Sequence, residues 1–285
     1  MLAHQSGHPT APWVCPVCRD RLALGEDGRR WICRGAHSFD VAREGYVHLW
    51  LAGQRRQRQP GDSPEMVKAR HRFLASGAFD PLTDAIADAV ARERPTTVLD
   101  VGCGDGRHTR SAPAPMVIGV DVAKSAVALA AHAHPDGWYA VASAADLPLA
   151  DAAVDMVLNV FGPVVPMELA RVLRSGGTVV AVHPGPAHLE DLRNLVYEDG
   201  RPHDVKPPLR SVPEWFAEVG TAFVSFQILL TKATQLHDLF AMTPYSWQAS
   251  PALSARLADA AAGRFETRAD IHLTTYRRTD RPIIC

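Results

Sequence analysis

The feature that most restricts how this chain can fold is the stretch VLDVGCGDG, from Val98 to Gly106. An apolar strand-like run carries Asp100 near its end, and Gly102, Gly104 and Gly106 then lead into helix-like sequence. Glycines at such a turn allow backbone to approach a ligand closely and to adopt torsions closed to other residues. Further strand-like runs follow at 116–122, 138–143, 154–161 and 178–184, with Ala-rich helical stretches such as 123–134 and 166–175 between them. This alternation predicts an α/β domain: a mostly parallel sheet wrapped by helices, of the doubly wound, Rossmann-like type. Beyond residue 188 the pattern predicts a helix, a Pro-rich polar loop near 197–210, a second helix, the strand FVSFQILLT, two more helices and the terminal strand IHLTTYRR.

The charges around the glycine loop bear on its ligand. A dinucleotide site sets a pyrophosphate on the helix N-terminus, where anions are favoured. Here Asp100 and Asp105 flank or occupy the loop and would repel one. They suit a cofactor with an ammonium and a sulfonium, such as S-adenosylmethionine. Asp121 ends the next strand, 21 positions after Asp100, where a carboxylate can accept both ribose hydroxyls. Asp146-Leu147-Pro148 follows the third strand, where a carboxylate can meet an adenine amino group. Asp121 and Asp146 can also be read as helix caps or turn residues.

Five cysteines are too few and too unevenly placed for a disulfide scaffold. Three of them crowd the N-terminus. Cys15-Pro-Val-Cys18 and Cys33-Arg-Gly-Ala-His37 form two ligand pairs separated by a 14-residue loop. Four protein ligands leave no open coordination position, which predicts a structural zinc. His8 and His48 are less well spaced substitutes for His37. The net charge of −1 conceals an asymmetry: residues 1–75 hold 12 Lys+Arg against 7 Asp+Glu, and the remainder 18 against 24. The basic part points to an anionic partner. Arg55, Arg56 and Arg58 follow the zinc module. A helix is expected to start with Asp62 or Ser63 as cap and Pro64 as its first residue, placing Lys68 and Arg72 on one face. Such cations contact phosphates without reading sequence, and an ordinary solvated basic face carries the same charges. The chain thus divides into a zinc-binding, RNA-recognising module (1–50), a basic connector with helices (51–92) and a cofactor domain (93–285). Replacing Cys18 is expected to cost zinc and RNA modification while the cofactor domain still binds S-adenosylmethionine. No apolar run approaches a membrane span and no secretory signal opens the chain, so a cytoplasmic location is expected.

The segments CPVC, CRGAHSFDVAREGYVHL, PGDSPEMVKARHRFL, VLDVGCGDG, HPGPAHLEDL and MTPYSW together resemble the zinc-containing 23S rRNA (guanine-N1)-methyltransferases, the RlmA-like group that includes the tylosin-resistance methyltransferases of actinomycetes. The resemblance runs nearly the whole length. It implies methyl transfer from S-adenosylmethionine to N1 of one guanine in a 23S rRNA hairpin near the peptide exit tunnel. It also implies zinc on Cys15, Cys18, Cys33 and His37, Gly104 and Asp105 in the cofactor loop, and Phe79 and His188 against the cofactor. A homodimer and macrolide resistance belong to the same set of implications. The Pro-rich segment 197–208 departs from the family pattern, which leaves substrate contacts from that region open.

Neutral guanine N1 carries a proton that must leave before or during attack, and no base is evident for it. Asn159 and Phe161, after the fourth strand, are candidates to hydrogen-bond the base edge and to stack on it. The rival readings are a small-molecule methyltransferase, which needs neither zinc module nor basic connector, and a non-catalytic RNA-binding protein that keeps the cofactor without turnover.

Overall fold

The computed structural model describes residues 12–51, 61–197, 205, 207–248 and 250–279, so Arg55, Arg56 and Arg58 lie outside the described residues. Near the N-terminus, β1 (Ala23–Leu24), β2 (Arg30–Ile32) and β3 (Ser38–Asp40) form a small antiparallel sheet. Then β4 (Val47–His48) leaves it and pairs in parallel with β7 (Trp138–Val141), at the edge of a second, eight-stranded sheet. That sheet also contains β5 (Thr97–Val101), β6 (Met116–Asp121), β8 (Val154–Val160), β9 (Leu173–Pro184), β10 (Phe216–Leu230) and β11 (Phe265–Arg278). Its order is β10-β11-β9-β8-β5-β6-β7-β4. Pairing is parallel from β4 to β9 and antiparallel at β11 and β10. β5 is buried at all five positions, as a central parallel strand must be. The chain order reverses between β5 and β8, which opens a crevice at their C-terminal ends.

Side chains alternate across the sheet and feed two cores. Leu99, Val101, Val157 and Val179 face α4 (Pro166–Val172) together with Trp13, Leu22, Trp31 and Cys33 of the N-terminal module. Val98, Met156, Leu158 and Val180 face the other way. There they meet α2 (Asp80–Glu93), α5 (Glu190–Val196), α6 (Ala233–Ala241) and α7 (Pro251–Ala261). The N-terminal module thus covers part of one sheet face, with Trp31 edge-on to Trp138 at 5.8 Å.

Local sequence explains the helix starts. Ser63 caps α1 (Pro64–Ala75) by accepting the Met66 N–H, and Pro64 opens the helix. Between β6 and β7 runs α3 (Lys124–Ala133). Two expectations need correction. The helix expected over 166–175 ends at Val172, and Gly176, at φ +69°, lies inside β9. The helix expected before FVSFQILLT is the first part of β10. Helix-compatible residues such as Ala217 and Glu218 are held extended by pairing that runs from Phe216↔Arg278 to Leu230↔Phe265. Cross-strand partners, invisible in a local window, decide such a segment. No helix among the described residues is long and apolar enough to cross a membrane.

Candidate functional site

A cavity of about 820 Å³ opens at the reversal point between β5 and β8. It is bounded by the strand ends, by the start of α1 and by the segment from Met242 to Trp247. Three stretches far apart in sequence (PGDSPEM, HPGPAHL and MTPYSW) therefore become walls of one site.

Its electrostatics come from Asp62, Asp100, Asp105 and Asp121, against Arg70 as the lining arginine. Arg70 is itself paired with Asp62 and donates to the Met242 carbonyl at 3.1 Å. Asp100 is buried; its Oδ2 accepts from the Thr109 hydroxyl at 2.5 Å, while Oδ1 has no hydrogen-bond partner. Burial pushes the Asp100 carboxyl up to about 7, against the Thr109 hydrogen bond and with help from the Asp121 charge. Asp121 accepts the Gly104 N–H at 3.0 Å through Oδ2 and the Ala123 N–H at 2.8 Å through Oδ1. Burial raises its pKa, and those two N–H donors oppose the rise. Asp121 is thus a turn residue and a pocket carboxylate at once. Gly104, at φ +55°, has nothing within 4 Å of the place a Cβ would occupy, so the loop leaves room for a ligand against its backbone.

These residues fit S-adenosylmethionine. An unpartnered, buried carboxylate oxygen in a site with four carboxylates calls for a cation and would repel a pyrophosphate. The volume is that of a site for a small molecule with space to spare.

The structure places the other expected residues unequally. Phe79 is buried under the cavity, edge-on to His188 with ring centroids 6.5 Å apart. His188 Nδ1 accepts the Asp270 N–H at 3.3 Å, and its ring lies 5.6 Å from that of Phe161 at an interplanar angle of 30°. Phe161 is 46% exposed at the cavity mouth, at φ +53°. Both amide hydrogens of Asn159 are used, on the Val101 carbonyl at 3.0 Å and the Pro163 carbonyl at 3.1 Å. Asn159 therefore shapes the 159–163 turn and keeps only its carbonyl oxygen for a substrate. Gly102 and Asp105 line the cavity, and Asp105 also takes His71 Nδ1 at 2.7 Å, a contact that the sequence pattern does not announce.

Asp146 and Leu147 are not among the cavity's lining residues. Asp146 instead pairs with Arg19 at 3.1 Å, and Leu147 is core. Arg72 forks onto Asp238 of α6 at 3.0 and 2.5 Å, while Lys68 is exposed. The wall formed by Met242, Tyr245 and Trp247 was signalled only by MTPYSW, with no chemistry attached.

Away from the cavity, the ligand atoms of Cys15, Cys18, Cys33 and His37 all lie within 4.8 Å of one another. Cys18 Sγ and Cys33 Sγ are 3.6 Å apart and Cys33 Sγ is 3.3 Å from His37 Nδ1. A tetrahedral zinc with sulfur ligands needs sulfurs about 3.8 Å apart, so the cluster fits that ion.

Known proteins agree with this architecture. Residues 13–58 match the family described as RlmA, N-terminal, a zinc ribbon, and residues 99–181 match a methyltransferase domain. A putative 23S rRNA (guanine-N1)-methyltransferase of Micromonospora griseorubida is 35% identical, the alignment covering 92% of this chain and 96% of the relative. The 23S rRNA (guanine(748)-N1)-methyltransferase of Streptomyces fradiae is 34% identical over 92% and 95%. This chain belongs to the 23S rRNA (guanine-N1)-methyltransferases. A putative member from Bacillus subtilis is 32% identical, over 82% and 86%. Membership brings an S-adenosylmethionine-dependent methyltransferase domain and a zinc ribbon, and the Cys3His cluster fits a structural zinc.

Proposed function

We propose that this enzyme methylates N1 of a single guanine in a 23S rRNA hairpin near the peptide exit tunnel, at the position for which the Streptomyces fradiae relative is named. The mark is proposed to give tylosin-type macrolide resistance, in the cytoplasm where ribosomes are built. The observation that carries the reading is the acidic cavity whose mouth holds an exposed aromatic, Phe161, in a chain with full-length relatives of that name.

When bound, S-adenosylmethionine supplies a methyl group on a positively charged sulfur. Asp121 would hold the ribose hydroxyls, and Asp100 and Asp105 the cationic part. Phe161, braced by His188, would stack on the guanine once it has left the helix. Asn159 would orient the base edge through its remaining carbonyl oxygen and, by its two backbone contacts, hold Phe161 in place. Positioning of this kind accounts for much of the rate of an in-line transfer. The N1 proton passes to solvent or to a group outside this set.

Unmodified 23S rRNA is incubated with the protein and S-adenosylmethionine, then copied by reverse transcription. A methyl on N1 blocks Watson–Crick pairing, so one new stop is expected, lost in Phe161→Ala, together with a raised tylosin tolerance in an expressing host. Cofactor turnover without any stop on rRNA would overturn the substrate assignment.

A further inference from the structure

The zinc cluster and the cofactor cavity are on different parts of the fold, yet one side chain runs from the zinc knuckle to the segment just after the cavity-lining residues Ala142 and Ala144. Arg19 directly follows Cys18 in the zinc knuckle. Its own backbone is fixed there: its N–H donates to the Cys15 carbonyl at 2.9 Å, and its φ is +61°. From that anchor the guanidinium reaches into the cofactor domain. Nη1 meets Asp146 Oδ1 at 3.1 Å, and Nη2 donates to the carbonyls of Leu147 at 3.3 Å and Leu149 at 3.4 Å, which it shares with Arg171 of α4. The backbone beside it is joined too, with the Val14 N–H donating to the Pro148 carbonyl at 2.9 Å.

What Arg19 grips adjoins a stretch of the cavity wall, Ala142 and Ala144. Asp146 closes a tight turn on Ser143, donating its N–H to the Ser143 carbonyl at 3.1 Å. Within that turn, Ala144 lines the cavity. The turn follows β7, and the neighbouring Ala142 N–H is tied to the Asp121 carbonyl at 3.0 Å. A shift of the turn therefore reaches both the wall and the strand end that carries Asp121.

We propose that Arg19 is a positioning residue that couples the zinc site to the cofactor site. Metal bound to the Cys3His cluster fixes the knuckle, the knuckle fixes Arg19, and Arg19 sets the turn 143–146 against which the cofactor packs. Zinc thereby raises affinity for S-adenosylmethionine although none of its ligands lines that cavity. By linkage, S-adenosylmethionine raises zinc retention by the same factor. The expectation that the protein without zinc still binds the cofactor is thereby narrowed: it binds, but more weakly. An arginine suits the task because its planar fork serves a carboxylate and two carbonyls at once, which a lysine's single ammonium does not.

The test is calorimetric binding of S-adenosylmethionine to the full-length protein, with zinc content and melting temperature measured alongside. Arg19→Ala and zinc-stripped wild type are each expected to bind at least about fivefold more weakly, at the low end of ordinary coupling between sites. Arg30→Ala, a change of an exposed module arginine, is expected to bind as wild type. Asp146→Ala breaks the same contact from the cofactor domain, and the double variant Arg19→Ala/Asp146→Ala is expected to be no weaker than the weaker-binding single variant. Arg19→Lys recovers only part of the loss. Wild-type affinity in Arg19→Ala, whether or not it holds zinc, overturns the proposal, as does unchanged affinity after zinc removal. Additive losses in the double variant overturn it as well, because Asp146 would then act on the cofactor directly. Failure of the zinc-loaded wild type to bind would instead undo the cofactor assignment.

Discussion

Asp100 shows how much this site gives up in stability for its ligand. Its carboxyl is buried, one oxygen has no partner, and its pKa is about 7 where an unfolded chain would show 3.8. Below pH 4 both states hold the proton, and the residue is neutral in the balance. Between 4 and 7 the unfolded carboxyl ionises first, so the folded state loses stability as pH rises, and above 7 the deficit stays constant. Three pKa units correspond to a deficit of the order of 4 kcal/mol. A cationic ligand removes the cause by stabilising the ionised form. Cofactor affinity of the wild type is therefore expected to rise as pH passes upward through about 7, read by calorimetry at pH 6 and pH 8. Asp100→Asn, which keeps an oxygen for Thr109, is expected to melt higher than wild type at pH 8 and no higher at pH 4. The same variant should bind S-adenosylmethionine more than tenfold less tightly. A variant that melts lower at pH 8 would mean that the buried carboxylate does not destabilise the empty site.

At the scale of elements, α1 lines the cavity through Met66, Arg70 and Leu74, and two residues just before it do different jobs. Ser63 supplies a local cap. Gly61 is at φ +78°, and a Cβ there would stand 2.6 Å from Val122 Cγ2, just after Asp121. Ser63→Ala is expected to cost about 1 kcal/mol of stability and to leave cofactor affinity near wild type. Gly61→Ala is expected to cost more and also to weaken the cofactor, because it pushes on the segment that follows Asp121. Denaturant midpoints and calorimetry separate the two, and equal cofactor affinity in both variants would remove the start of α1 from the site. The same contrast explains what was legible in the sequence. Ser63-Pro64 and the apolar runs of β5 to β8 are local signals, and the elements form where the sequence predicts them. The first part of β10 reads as helix because its partner β11 comes more than thirty residues later in the chain, whereas FVSFQILLT reads as the strand it forms. Asp146 reads as an adenine contact from sequence because nothing near it reveals Arg19, 127 positions away. His71 on Asp105 escaped for the same reason.

For the whole molecule, the question is whether the zinc module melts by itself. Ligand spacing made the metal site legible, since Cys-x2-Cys and Cys-x3-His are local patterns. Its packing was not, because Trp13, Leu22 and Trp31 join the same core as Leu99 and Val157 of the central sheet. The strand that leaves the module, β4, completes the edge of that sheet through Val47↔Ala140 and His48↔Val141. A segment this small has little core of its own, and zinc binding is part of its folding free energy. Loss of the metal would loosen Trp13 and Trp31, and with them one face of the sheet. Calorimetric unfolding of the zinc-loaded protein is therefore expected to show one cooperative transition that includes the module. Stripping the metal should move that transition down by at least about 5 °C, given the few degrees that each kcal/mol is worth in a domain this large. The opposite result would be a small early transition for the module with the main one unmoved. It would mean that the shared core and the β4–β7 pairing contribute little, and that the two parts hold their folds independently.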